Sequence, residues 1–449
     1  MKKRITMITI AALLLVGAFL LLMTRLRSPQ AVLSPPNPGG EYRQLQQAFE
    51  RTVGKDSDYR LQYPEEGDYR SAYVLKDLDG DDEDEALVFY SKPGKDSVVR
   101  INILDLVDDE WVSVMDKIGY GNKIDSVSFS DLDRDGNAEV ALSWSLAGAD
   151  SNRTLTVHSV DLEQEGRGRF ETLANMPYKA MHISDMDNDG NNEILILWSE
   201  VEKKVQHNYA ALMKLTVAGL SRYGEAVEID STASVYDNIV LQAGKTPIAF
   251  VDARMGDGTM FTEVLWWDGV NKKLKAPFTA NETRTNVATV RASDLLTSDI
   301  DEDGVYEIPV AYNGASMPSS GRDQLAPVPL TVWSRTGTAE PGVLKPAAYS
   351  LVDTENHYIL YLDAGYRDSV LAYRDSKTGV LTVYEWNDDG SRGEPLFSLV
   401  YQDDGSNQPL EKYTFLASSK GRMVYGTLTS AGKAIGLSNA QIEDQIVFY

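Results

Sequence analysis

The segment Asp185-Met186-Asp187-Asn188-Asp189-Gly190-Asn191-Asn192-Glu193 places aspartates at loop positions 1, 3 and 5, glycine at 6 and glutamate at 9. Three further segments repeat it. Asp131, Asp133, Asp135, Gly136 and Glu139 form one, and Asp299, Asp301, Asp303, Gly304 and Glu307 another. The earliest holds Asp77, Asp79, Asp81 and Glu85, with Asp82 in place of the glycine. Closely spaced carboxylates on a sharp turn deliver several oxygen ligands to one hard cation, and calcium fits best. Glycine at position 6 accepts the positive φ that folds the later ligands back toward the ion.

An EF-hand loop begins in the same way, but it needs a glutamate at position 12 and helices on both sides. Position 12 here is Val88, Leu142, Ile196 or Val310. The runs that follow the acids, such as Glu193-Ile-Leu-Ile-Leu-Trp198 and Glu85-Ala-Leu-Val-Phe-Tyr90, are short and rich in β-branched and aromatic residues. They predict strands. The unit is therefore strand, nine-residue loop, strand, and the EF-hand is excluded.

Asp77 and Asp131 lie 54 residues apart, as do Asp131 and Asp185, and Asp185 to Asp299 is 114, about twice that period. A strand-rich repeat of this length predicts the blades of a β-propeller. A missing copy is due near residue 242. The nearest acidic stretch, Asp252 to Glu263, reads as a degraded loop whose spacing is wrong for metal.

The four loops, their strand context and their period resemble the FG-GAP/VCBS calcium-binding repeats of integrin-α-like propellers and bacterial surface proteins. The Phe-Gly and Gly-Ala-Pro landmarks are absent, so the resemblance implies the fold and the ion, not an integrin-type ligand. The expected fold is all-β, a propeller of about seven four-stranded blades. About four structural calcium ions are expected, one per loop. The acids at 1, 3, 5 and 9 would be side-chain ligands, and Glu83, Asn137, Asn191 and Val305 would supply backbone carbonyls.

Ahead of the repeats, Met1-Lys-Lys-Arg4 precedes nineteen uncharged residues, Ile5 to Met23, followed by Arg25 and Arg27. That run can span a bilayer, and the heavier basic charge at its start keeps the N-terminus in the cytoplasm. Residues 1–27 are thus expected as an uncleaved transmembrane signal anchor, 28–40 as a Pro/Gly-rich linker, and 41–449 as an extracytoplasmic propeller. Leu45, Ala48, Phe49 and Val53 predict an amphipathic helix over 41–53. Ser438 and Gln441 predict a capped helix near the end of the chain. Asn387-Asp-Asp-Gly390 reads as a hairpin turn, and strand 71–76 is expected beside C-terminal strands.

The 449-residue chain carries a formal net charge of −24. Without the five basic residues of the first 27 the remainder is −29, which excludes nucleic acid as a partner. Zero cysteines exclude disulfides, thiolate metal sites and a cysteine nucleophile. The four histidines, at 158, 182, 207 and 357, form no metal-ligand pair, and no nucleophile motif is present. The sequence therefore points to a binding or scaffold module facing an extracellular protein or glycan. A polysaccharide lyase or glycoside hydrolase on the same fold is the rival reading, and an envelope sensor or assembly subunit a third.

Overall fold

A computed structural model describes residues 40–449 except 56–57, 95–97, 146–152, 163–168, 313–324, 329, 338–340, 364–365, 367–368, 388, 390 and 404–409. The anchor and linker lie outside the described residues. No described helix is long and apolar enough to cross a membrane. The structure is all-β, with a few short helices.

The described residues divide into two compact units, one of those up to 124 together with those between 161 and 170, and the other of the remainder. In the first, helix α1 (Gly40–Val53) precedes β1 (Arg60–Leu61), β2 (Tyr73–Lys76), β3 (Glu85–Ser91), β4 (Val99–Val107) and β5 (Glu110–Ile118). Leu45, Ala48, Phe49 and Val53 are buried, as their helical spacing requires, and pack with Tyr59, Tyr73, Tyr90 and Trp111. The Phe49 ring meets Tyr59 and Tyr90 edge-on, with centroids at 4.9 and 5.2 Å. All seven residues of β3 are buried. A strand covered on both faces needs a continuous apolar run, and Ala86 to Tyr90 supplies one.

The next four-stranded sheet is β6 (Lys123–Ser130), β7 (Glu139–Ser145), β8 (Arg153–Asp161) and β9 (Arg169–Tyr178), in chain order. Then come β10 (Ala180–Ser184), β11 (Glu193–Glu202), β12 (Val205–Thr216) and β13 (Gly219–Ile229), followed by β14 (Ala233–Gln242), β15 (Ile248–Met255), β16 (Met260–Asp268) and β17 (Lys273–Lys275). These two meanders join through a parallel contact of β13 with β17, giving an eight-stranded sheet.

A further sheet uses β18 (Ile308–Ala311) with β20 (Leu330–Thr336), β21 (Leu344–Asp353) and β22 (Tyr358–Leu362), while β19 (Leu325–Val328) joins the last group. That group continues as β23 (Val370–Asp375), β24 (Leu381–Trp386), β25 (Arg392–Asp403), β26 (Thr414–Ser419) and β27 (Arg422–Leu428). Helices α2 (Ser430–Ala434) and α3 (Asn439–Asp444) and strand β28 (Ile446–Phe448) end the chain. The Ser438–Gln441 capping box is present at α3. β24 pairs antiparallel with β25 and the Asn387 N–H donates to Ser391 O, while residues 388 and 390 of the expected turn lie outside the described residues. Six strand groups are thus present among the described residues, against an expectation of about seven blades.

Two expectations are corrected. Strand 71–76 does not pair with C-terminal strands: β2 bonds to β3 of its own sheet, and the last strand, β28, adds to β22. The stretch Asp252 to Glu263 is not a degraded metal loop. Val251 pairs with Glu263 and Asp252 with Thr262, so it is a hairpin, β15–β16, turning at Gly256–Gly258. The connection that corresponds to the other loops is Ala243-Gly-Lys-Thr-Pro247, close to residue 242 and without an acid.

Candidate metal centres

Each acidic loop leaves one strand and ends in the next, and four copies share one hydrogen-bond scheme. The position-1 aspartate accepts two backbone N–H groups. In the first two loops these come from positions 4 and 6: Gly80 and Asp82 donate to Asp77, and Arg134 and Gly136 to Asp131. In the other two they come from positions 5 and 6: Asp189 and Gly190 donate to Asp185, and Asp303 and Gly304 to Asp299. Positions 4 and 6 take the left-handed backbone in all four: Gly80 and Asp82, Arg134 and Gly136, Asn188 and Gly190, Glu302 and Gly304. The position-5 aspartates, Asp81, Asp135, Asp189 and Asp303, accept the N–H of Glu83, Asn137, Asn191 and Val305.

The position-9 glutamate closes each loop. Glu85, Glu139, Glu193 and Glu307 are buried, and their Oε2 atoms accept the N–H of Leu78, Leu132, Met186 and Ile300 at 2.8–3.0 Å. The position-2 side chains Leu78, Leu132 and Met186 sit in the core and fix each loop to its sheet.

Oxygen atoms of Asp77, Asp79 and Glu85 lie within 4.8 Å of one another, as do those of Asp131, Asp133 and Glu139, those of Asp185, Asp187 and Glu193, and those of Asp299, Asp301 and Asp303. Calcium–oxygen bonds of 2.3–2.6 Å let ligands on opposite sides of an ion stand about 5 Å apart, so these sets fit calcium. Positions 1, 3 and 9 converge in three loops, with Asp81, Asp135 and Asp189 outside the set. In the last loop Asp303 joins and Glu307 does not.

The loops differ in their neighbours across the sheet. Register pairs Ala86 with Leu104, Val140 with His158, Ile194 with Met213 and Ile308 with Ser334. One step further, the residue facing the position-9 glutamate is Asp105, Ser159, Lys214 or Arg335. Sequence reasoning missed all four, because the pairing depends on the length of each hairpin. Lys214 Nζ lies 2.9 Å from Asp187, 2.6 Å from Asp189 and 2.6 Å from Glu193. Arg335 reaches Asp301 at 2.8 Å and Asp303 at 2.9 Å, and also bonds Glu307. Among the described residues no lysine or arginine bridges the acids of the first two loops.

The electrostatics follow this division. Burial pushes the Glu85 carboxyl up to about 8, with Asp79, Asp105 and Asp81 adding and the Leu78 amide opposing. Burial likewise pushes Glu139 up to about 7, with Asp133, Asp135 and Asp131 adding and the Leu132 amide opposing. Burial raises Glu193 and Glu307 too, but Lys214 and Arg335 oppose it. Burial works against the Lys214 ammonium, yet its three carboxylates raise it overall.

Asp252 is buried and bound by Arg291 at 2.7 Å, by Thr262 Oγ1 and by both the N–H and hydroxyl of Thr297. His158 bonds Thr156, and His207 pairs with Glu228 at 2.8 Å. Trp267 is core and its strand neighbour Trp266 is half-buried.

No protein-family model matches the chain, and no curated protein does. Among solved structures it is similar to Chaetomium thermophilum Sqt1, with a TM-score of 0.32 and 10% identity over 78% of this chain and 93% of that one. It is also similar to a putative 6-phosphogluconolactonase from Bacteroides fragilis, with a TM-score of 0.28 and 12% identity over 76% and 97%. Likeness at this level carries no argument about function.

Proposed function

We propose that the chain is a membrane-anchored, extracytoplasmic β-propeller of the FG-GAP/VCBS type, stabilised by calcium in its acidic loops. Its strand groups would form the blades, and it would serve as a binding or scaffold module for an extracellular protein or glycan. The observation that carries this reading is the repeated loop. A buried glutamate closes each copy, aspartate oxygens in each lie at calcium spacing, and in three copies the glutamate belongs to the same set. In the first two copies no lysine or arginine among the described residues forms an ion pair with the loop acids, and Asp79 Oδ1 is buried without a hydrogen-bond partner. A bound divalent ion would supply the missing charge and pin the turns. We take its role to be structural, because each loop connects two strands that the ion would hold together.

The anchor rests on the uncharged run Ile5 to Met23. Expressed in a bacterium with a single membrane, the full chain should sediment with membranes and be cut by protease added to intact cells. Deleting 5–23 should leave it in the soluble fraction. Full protection in intact cells would contradict the topology. Turnover of a polysaccharide by the purified chain would replace the scaffold role with a hydrolytic one.

A further inference from the structure

The four loops share backbone geometry but not charge. Counting the acids at 1, 3, 5 and 9 with the residue facing position 9, the first loop has five acidic side chains, including Asp105. The second has four acidic side chains and the neutral Ser159. The third and fourth have four acidic side chains and one basic, Lys214 or Arg335. These cations are placed where an ion would sit. Lys214 Nζ touches Asp187 and Glu193, two members of the third loop's oxygen set, and Asp189 besides. Arg335 touches Asp301 and Asp303, two members of the last set, and Glu307 besides.

We propose that Lys214 and Arg335 are built-in substitutes for calcium, so that the chain binds two ions, in the loops of Asp77–Glu85 and Asp131–Glu139, and not four. This rests on the reading of the loops as calcium sites. An ammonium or guanidinium held by three carboxylates occupies the ligand oxygens and cancels part of the charge that draws a divalent cation. Calcium affinity is set by ligand charge and site rigidity, so each inserted cation lowers it steeply. Both basic residues are supplied by the neighbouring strand: β12 carries Lys214 and β20 carries Arg335. At the equivalent point β4 carries an acid and β8 a serine. The third and fourth loops therefore hold their turns without metal, while the first two depend on it.

The test is calcium stoichiometry of the metal-free full chain, by equilibrium dialysis and by titration calorimetry at micromolar calcium. Two ions should bind to the wild type, three to Lys214→Met or Arg335→Met, and four to the double variant. Asp79→Ala and Asp133→Ala should each lose one ion from the wild type, whereas Asp187→Ala and Asp301→Ala should lose none. More than two ions on the wild type, or no gain in either methionine variant, would overturn the substitution while leaving calcium binding intact. No ion on any variant, including the double one, would overturn the calcium reading itself.

Discussion

Asp82 stands where the other three loops carry glycine, yet it holds the same left-handed backbone, φ 69° against 100°, 88° and 85° at Gly136, Gly190 and Gly304. The first loop instead carries its glycine at position 4, where the others place Arg134, Asn188 and Glu302. A residue with a Cβ pays about 1 kcal/mol for that conformation, somewhat less for aspartate. Asp82 is exposed and adds a negative charge to a loop already short of cations. Asp82→Gly is expected to raise the stability of the calcium-free chain by up to about 1 kcal/mol, read as a higher urea midpoint. A lower midpoint would show that the aspartate is there for more than its backbone. At this scale the sequence was legible. Alternating acids and a turn residue are local features, and the hydrogen bonds that fix them span only seven residues or fewer.

Among the elements, the β15–β16 hairpin shows where local reading fails. Asp252, Asp257-Gly258 and Glu263 imitate a metal loop in composition, but strand pairing sends the two outer acids into the core. There Glu263 Oε1 accepts the Asp230 N–H at 2.9 Å and the Thr279 hydroxyl at 2.6 Å, while Oε2 has no hydrogen-bond partner. Burial pushes this carboxyl up to about 7, against the hydrogen bonds from Thr279 and Asp230, with the Asp230 charge adding. A folded value above the unfolded one favours the protonated form. The resulting stability is present below about pH 4.5 and is lost as the pH rises through about 7, in all about 3 kcal/mol. Glu263→Gln keeps the accepting oxygen and removes the titration. The wild type is therefore expected to lose about 3 kcal/mol relative to Glu263→Gln between pH 4.5 and pH 8, measured by urea unfolding at both. Parallel pH curves would contradict the assignment. Register was equally hidden at the loops themselves. Lys214 follows Glu193 by 21 residues and Arg335 follows Glu307 by 28, so only the folded hairpins show that they meet.

Across the whole molecule the period of 54 residues was the most informative feature, because it set strand-rich units at regular intervals before any contact was known. The all-β class, the helix at 40–53 and the capped C-terminal helix follow from such patterns. The partners of the end strands do not, since the last strand, Ile446–Phe448, could extend any sheet with an open edge. The net charge of −24 makes the role of the loops a property of the entire chain. A cation bound in the first two loops would relieve repulsion among acids that no described lysine or arginine pairs with. The most direct measurement is a thermal melt of the full chain in chelator and in millimolar calcium. Two sites of micromolar affinity at a hundredfold excess of ion each contribute about 2.7 kcal/mol. The midpoint should therefore rise by roughly 5–10 °C, and Asp79→Ala with Asp133→Ala should abolish the rise. An unchanged midpoint with calcium would mean that the loops are turns alone, and the account of this chain as a calcium-stabilised protein would fail.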